Sequence, residues 1–260
     1  MNNYDIFIPS CYKDYQKLPY VFRAIFDNLN GFQNVYLCTP KKYNGPILDY
    51  PIHYRVDIDV LKCTPHAWKY RPNWVYQQFV KLFQQETEND YFFVIDSDTI
   101  INRPLELFEN DQPIWRYFTA PQHNPPYYNF NQKMFEDSFD WNHTWLADMG
   151  LYSKKMIKKM LEHYGYTVES FIKKTYKIIN KDCYPSEADV YMGYINKYYP
   201  SYYVTKQLKN KCDAIEGRNP FQDLWSKEAI EAHINKMKST DYETYAIHSW
   251  VDTSHNTWGR

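Results

Sequence analysis

Asp96 and Asp98 stand two residues apart at the end of the run Tyr91-Phe92-Phe93-Val94-Ile95, with Ser97 between them. Side chains at i and i+2 leave an extended backbone on the same side, so both carboxylates reach toward one point. Two hard oxygen ligands, completed by substrate phosphates and water, are a usual way for proteins to hold Mn2+ or Mg2+. The apolar run reads as a buried strand. In open α/β sheets, ligands collect outside the carboxyl ends of the strands, where these acids fall. The same residues also suit a plain strand-end turn, because Asp and Ser favour Asx turns. The unbroken apolar strand favours the metal.

A second polar set lies upstream. Gln78 and Lys81 are three residues apart and share one face of a predicted helix, as a pair must if both meet one ligand. Gln77 stands beside them and Arg71 precedes the helix. A cation next to a diphosphate would offset its charge. A solvated helix face explains Lys81 equally well, whereas the apolar neighbours of Gln77 and Gln78 argue against it there.

The elements that must position these residues follow from hydrophobic periodicity. Strands are predicted over 4–9, 34–38 and 52–56, with a brief one at Val60-Leu61. Helices are predicted over 18–29 and from Trp74 to Gln85, the latter capped by Asn73 after Pro72. With the strand into Asp96, this β-α-β-β-α-β order implies a mostly parallel sheet in residues 1–102. The rest, 103–260, is more irregular. Strands are expected at 113–120, 147–153, 202–205 and 245–250, and a Pro-, Asn- and Tyr-rich loop at 121–131. Helices are expected at 153–164, 168–179, 186–197 and 227–237, with Ser186 as the N-cap of the third. No linker or repeat divides the chain, so one two-part domain is expected.

At 260 residues the chain can bury a core without disulfides. Its net charge of −1 gives no support for a nucleic-acid partner. Five scattered cysteines form no C-x-x-C pair, which argues against a zinc knuckle or disulfide framework and favours a reducing compartment. No membrane span and no signal peptide are evident, so a cytoplasmic protein is expected. The 27 Tyr and 8 Trp suit sugar binding. Drift in an AT-rich genome, which also favours Asn, Lys and Ile, accounts for the tyrosines as well.

Four blocks, in order and spacing, resemble one metal-dependent branch of the GT-A fold, the DXD-containing sugar-nucleotide glycosyltransferases. They are Tyr4-Asp5-Ile6-Phe7-Ile8-Pro9-Ser10, Trp74 to Leu82, Val94-Ile95-Asp96-Ser97-Asp98, and Ser186-Glu187-Ala188-Asp189-Val190-Tyr191. Size and composition are similar to those of glycosyltransferases from bacteria and large DNA viruses. The resemblance thins after residue 200. It implies a Rossmann-like α/β fold, a nucleotide-sugar donor carrying UDP, a glycan or other hydroxyl acceptor, and a divalent cation.

The resemblance also implies roles. Pro9, Ser10 and Tyr12 would line the nucleotide pocket, where Tyr12 can stack on a base. Asp98 would ligate the metal directly, while Asp96 would meet ribose or a metal-bound water, beside Ser97. A late His followed by Trp supplies a further ligand in some members, which singles out His248, with His255 behind it. An inverting enzyme needs a carboxylate to take the acceptor's proton. Glu187 is preferred, because a helix N-terminus keeps a carboxylate ionised, and Asp189 and Asp148 are the other candidates. Asp148 precedes Gly150, where the missing side chain would let a sugar approach the backbone, so Asp148 could bind sugar hydroxyls instead. The aromatic stretches 123–128 and 141–145 are the candidate acceptor platform. A haloacid-dehalogenase-type phosphatase and a catalytically silent sugar- or nucleotide-binding protein are the rival readings. Against the phosphatase, Ile100 stands where its motif has Thr or Val.

Overall fold

The computed structural model describes residues 3–118, 125–137, 139, 144–212 and 226–247. The fold is α/β, built on a five-stranded sheet of order β3-β2-β1-β4-β8. Its strands are β1 (Tyr4–Pro9), β2 (Phe32–Thr39), β3 (His53–Val56), β4 (Tyr91–Ile95) and β8 (Met149–Ser153). The first four run parallel, and β8 returns antiparallel along β4 with Ile95 opposite Met149. The parallel sheet predicted for the first hundred residues is therefore present, and the second half of the chain extends it.

Alternation explains why this sheet is covered on both faces. Ile6, Ile8, Phe93 and Ile95 pack with α1 (Leu18–Asn28), which supplies Val21, Phe22 and Ile25. Phe7, Phe92 and Val94 point the other way, into a core with α3 (Pro72–Phe83) through Val75, Phe79 and Leu82. The period of two along each strand sends neighbours to opposite faces, so near-continuous apolar runs are what a doubly covered sheet requires.

Between β3 and α3 lies α2 (Asp57–Leu61). Val60-Leu61 is thus helical, not a strand, as the acids at Asp57 and Asp59 in its first turn suit. The entry to α3 also differs from expectation. The N-cap is Arg71, in the left-handed conformation at φ 45° and ψ 49°, and Asn73 sits one turn position inside the helix. Pro72 takes the first helical position, where its missing N–H costs nothing.

The remainder forms two small sheets and a helical layer. Strand β5 (Thr99–Ile101) pairs with β11 (Thr244–Ala246), which pairs with β10 (Asn210–Cys212). Strand β7 (Gln112–Phe118) lies between β6 (Phe108–Glu109) and β9 (Val204–Leu208). Helices α5 (Lys154–His163), α6 (Val168–Ile178), α7 (Glu187–Tyr198) and α8 (Lys227–Lys238) match the predicted ones closely. The 121–131 stretch does not: Pro125 opens α4 (Pro125–Phe135). Among the described residues, no helix is long and apolar enough to cross a membrane.

Candidate active site

The order 3-2-1-4 places a topological switch between β1 and β4, because the chain leaves β1 to one side and returns to its other side at β4. Ligand crevices in such sheets open at this point, beyond the carboxyl ends of the strands. Ser10 follows β1 and Asp96 follows β4. The residue types and the topology thus converge on one place.

Asp96 is held there by backbone on both sides. Its N–H donates to Asp148 O at 2.9 Å, and its own carbonyl accepts from Thr99 N at 3.0 Å, closing the 96–99 turn. The turn is pinned further at Ser97, whose hydroxyl donates to Asp14 Oδ2 at 3.3 Å, while Asp14 pairs with buried Lys17 at 2.7 Å. Asp98 O accepts from Ile247 N at 2.8 Å. His248 and His255, the proposed late ligands, lie outside the described residues.

Lys81 is the electrostatic centre. It projects from α3 with only 5% of its side chain exposed, and its Nζ lies 2.6 Å from Asp96 Oδ1 and 3.1 Å from Glu187 Oε1. Asp96 Oδ1 meets the ammonium by charge and proximity, without an aligned hydrogen bond. Burial works against the Lys81 charge, yet Asp96 and Glu187 outweigh it and hold its pKa above the ordinary lysine value. The solvated helix face considered for Lys81 is excluded, and its charge is already committed.

Glu187 begins α7, whose N-cap is Ser186 as predicted. Its backbone N–H donates to Gln78 Oε1 at 3.3 Å, so buried Gln78 anchors the helix start. Gln77, next to it, is half-buried. The second carboxylate oxygen of Glu187, Oε2, is buried with no hydrogen-bond partner. Burial pushes the Asp96 carboxyl up to about 7. Lys81 opposes the rise, and Asp98, Asp148 and Glu187 add to it. Two carboxylates thus meet one ammonium, and the charges of Asp98 and Asp148 act on the first of them.

The other predicted residues divide. Asp189 spends its carboxylate on the 144–145 backbone, accepting from Trp145 N at 2.8 Å and from the Thr144 hydroxyl at 3.0 Å. Burial still pushes its carboxyl up to about 6. Asp148 is half-buried beside Asp96, with Asn210 Nδ2 at 3.4 Å. Pro9 is buried in β1, Ser10 N–H donates to Cys38 O at 2.8 Å, and Tyr12 is 59% exposed. Arg71 is stacked on the Trp74 and Tyr184 rings and forms no ion pair with a described carboxylate. Gly150 does not open the backbone to a ligand: a Cβ there would meet the Trp115 ring at 2.7 Å, so its smallness serves interior packing. Trp145 is likewise buried, its ring edge-on to Tyr117. Within the acceptor platform, 123–124 and 141–143 lie outside the described residues.

Asp14, Lys17, Thr144 and Asn210 hold the site together and escaped sequence reasoning. Only Asp14 and Lys17, three apart in a strand-to-helix loop, left a signal.

Among the described residues no three His, Cys, Asp or Glu side chains already converge as a metal cage. Mg2+-type sites seldom use one, taking one or two carboxylates plus substrate phosphates and water. The donor set of hard oxygens fits such an ion, with Asp98 as the ligand it would take. No protein-family model and no curated protein sequence matches this chain.

Proposed function

We propose that this protein is a divalent-metal-dependent glycosyltransferase that moves a sugar from a nucleotide-sugar donor to a hydroxyl acceptor. The observation that carries this reading is the pair Asp96 and Glu187 on buried Lys81, with Asp148 joined to Asp96 through its backbone carbonyl and Asp98 two residues on, at the switch-point crevice of the sheet. A surplus of carboxylates beside a nucleotide-binding crevice suits a substrate delivered with a cation between its phosphates. Exposed Tyr12 offers a face for the base.

Bound at Asp98, with Asp96 near its waters, Mn2+ or Mg2+ would act as a Lewis acid on the departing diphosphate. The protein's own contribution is positioning. Lys81 keeps Asp96 and Glu187 in place. In transfer, the acceptor hydroxyl oxygen bonds to the anomeric carbon, the bond from that carbon to the diphosphate oxygen breaks, and the nucleoside diphosphate leaves with the electron pair. For an inverting reaction the acceptor proton passes to a carboxylate. Glu187 and Asp148 neighbour Asp96 and suit that task better than Asp189, whose oxygens are engaged.

Calorimetric titration of UDP and GDP, with Mn2+ and with EDTA, tests the reading on wild type and Asp98→Ala. One nucleotide should bind wild type only with Mn2+, and the substitution should weaken it at least tenfold. Absence of binding by both nucleotides would remove a UDP- or GDP-sugar donor.

A further inference from the structure

Beyond the carboxylates, α3 leads to a second constellation. Arg71 lays its guanidinium over the Trp74 ring at 4.2 Å and near the Tyr184 ring at 5.3 Å. Trp74 is stacked on Tyr127 at 6.1 Å and meets Tyr184 edge-on at 5.5 Å. Arginine carries five N–H donors in a planar fork, and among the described residues Arg71 has no carboxylate partner and no hydrogen-bond acceptor. The aromatic rings hold the fork flat and half-buried while leaving its edge unused. The chain reaches this arrangement through a left-handed backbone at a residue that is not glycine. Such outliers persist where the surroundings over-determine them, often at ligand clamps.

Position says which part of a substrate this fork would meet. Trp74 and Lys81 are seven residues apart on α3, about 10 Å along the helix axis. Tyr184 precedes Glu187 by three residues, so both elements run from the aromatic group to the carboxylates. On the transferase reading, the cation and donor phosphates belong at Asp98. Arg71 caps the opposite end of α3 from Lys81, ten residues and about 15 Å along the axis, a separation that suits the second substrate.

Resting on the transferase reading above, we propose that Arg71 is an anion subsite for the acceptor, which would carry a carboxylate or a phosphate on its sugar. A planar fork held against rings suits either group through paired N–H bonds. The subsite sets which acceptor enters, and takes no part in bond making.

The test uses methyl glucoside, methyl glucuronide and glucose 6-phosphate as probes, titrated by calorimetry or saturation-transfer NMR into the full chain. Wild type should prefer at least one charged probe over the neutral glucoside by about tenfold, and the better of the two identifies the acid. Arg71→Gln should abolish that preference while binding of UDP with Mn2+ changes less than about twofold, as expected of a group that meets only the acceptor. If R71Q does not fold, Arg71→Lys replaces it, and a drop in preference of about threefold or more supports the paired fork. Equal binding of charged and neutral probes to wild type, no binding of the charged ones, or a preference unchanged in the variant overturns the proposal. UDP affinity falling tenfold in R71Q with the preference intact assigns Arg71 to the donor and also overturns it. A charged-probe preference without any nucleotide binding supports the anion site and counts against the transferase reading instead.

Discussion

Lys81 has two carboxylates within 3.1 Å and almost no water around it. Removing one member of a buried ion pair leaves an uncompensated charge, at a cost of about 3–5 kcal/mol. Asp96 keeps 22% of its side chain exposed, which places Lys81→Met near the lower end, at about 3 kcal/mol. Urea denaturation of the variant measures this directly. A loss below about 1 kcal/mol would mean that water screens the pair as it does at a surface. At this scale the sequence was informative where backbone chemistry left a mark. Asp96 and Asp98 stood out because an apolar strand ended at them, and Glu187 because Ser186 and a helical pattern marked its turn. The Lys81–Glu187 contact joins residues far apart in the chain, and no local pattern announces it. The Asp14–Ser97 contact was silent for the same reason: its two residues come from different strand ends.

Among the elements, β8 carries the clearest consequence of a single missing atom group. Gly150 faces Val94 across the β4 ladder, and the Trp115 ring fills the space where a side chain would stand. Gly150→Ala forces a rigid indole or the strand to move, an overpacking expected to cost about 1–3 kcal/mol. Its thermal midpoint should fall while UDP binding in the folded protein stays unchanged. A selective loss of nucleotide binding at full stability would restore a ligand-facing role for this glycine. The period-two and period-3.6 patterns revealed the strands and most helices, because burial on both sheet faces writes them into the sequence. Helix α4 was hidden, since Pro125 and Pro126 read as loop residues although a helix tolerates proline in its first turn. The switch of Val60-Leu61 to helix has a similar cause: a run of two apolar residues fits either period.

Across the whole molecule, buried and paired carboxylates set the response to acid. Burial pushes Asp57 and Asp189 up to about 6, above the ~3.9 of an unfolded aspartate. Each contributes stability that is fully present below ~3.9 and is lost as pH rises through about 6. Asp137 behaves oppositely. Burial disfavours its charge, but Lys197, Tyr198 and Tyr164 outweigh that and hold the carboxyl down at about 2. Its contribution is present above ~3.9 and is lost as pH falls toward 2. Thermal unfolding should therefore occur at higher temperature near pH 5 than at pH 7, and at lower temperature again below pH 4. Asp137→Asn should flatten the acid limb alone. A midpoint that is constant between pH 7 and pH 5 would contradict the sign argued for Asp57 and Asp189.

Strand β4 lies between β1 and β8, and the Asp96 N–H is bonded to Asp148 O. The acids at the adjoining ends of β4 and β8 are therefore spaced by a backbone ladder and not by a hinge. Parting them would mean stripping β8 from β4, so their spacing is fixed. Any motion at this end of the sheet falls to the segments that connect the strands. For the protein engineer, the halves 1–102 and 103–260 are not interchangeable modules: grafting one onto a foreign partner would leave β4 with a raw edge and its acids without their spacing.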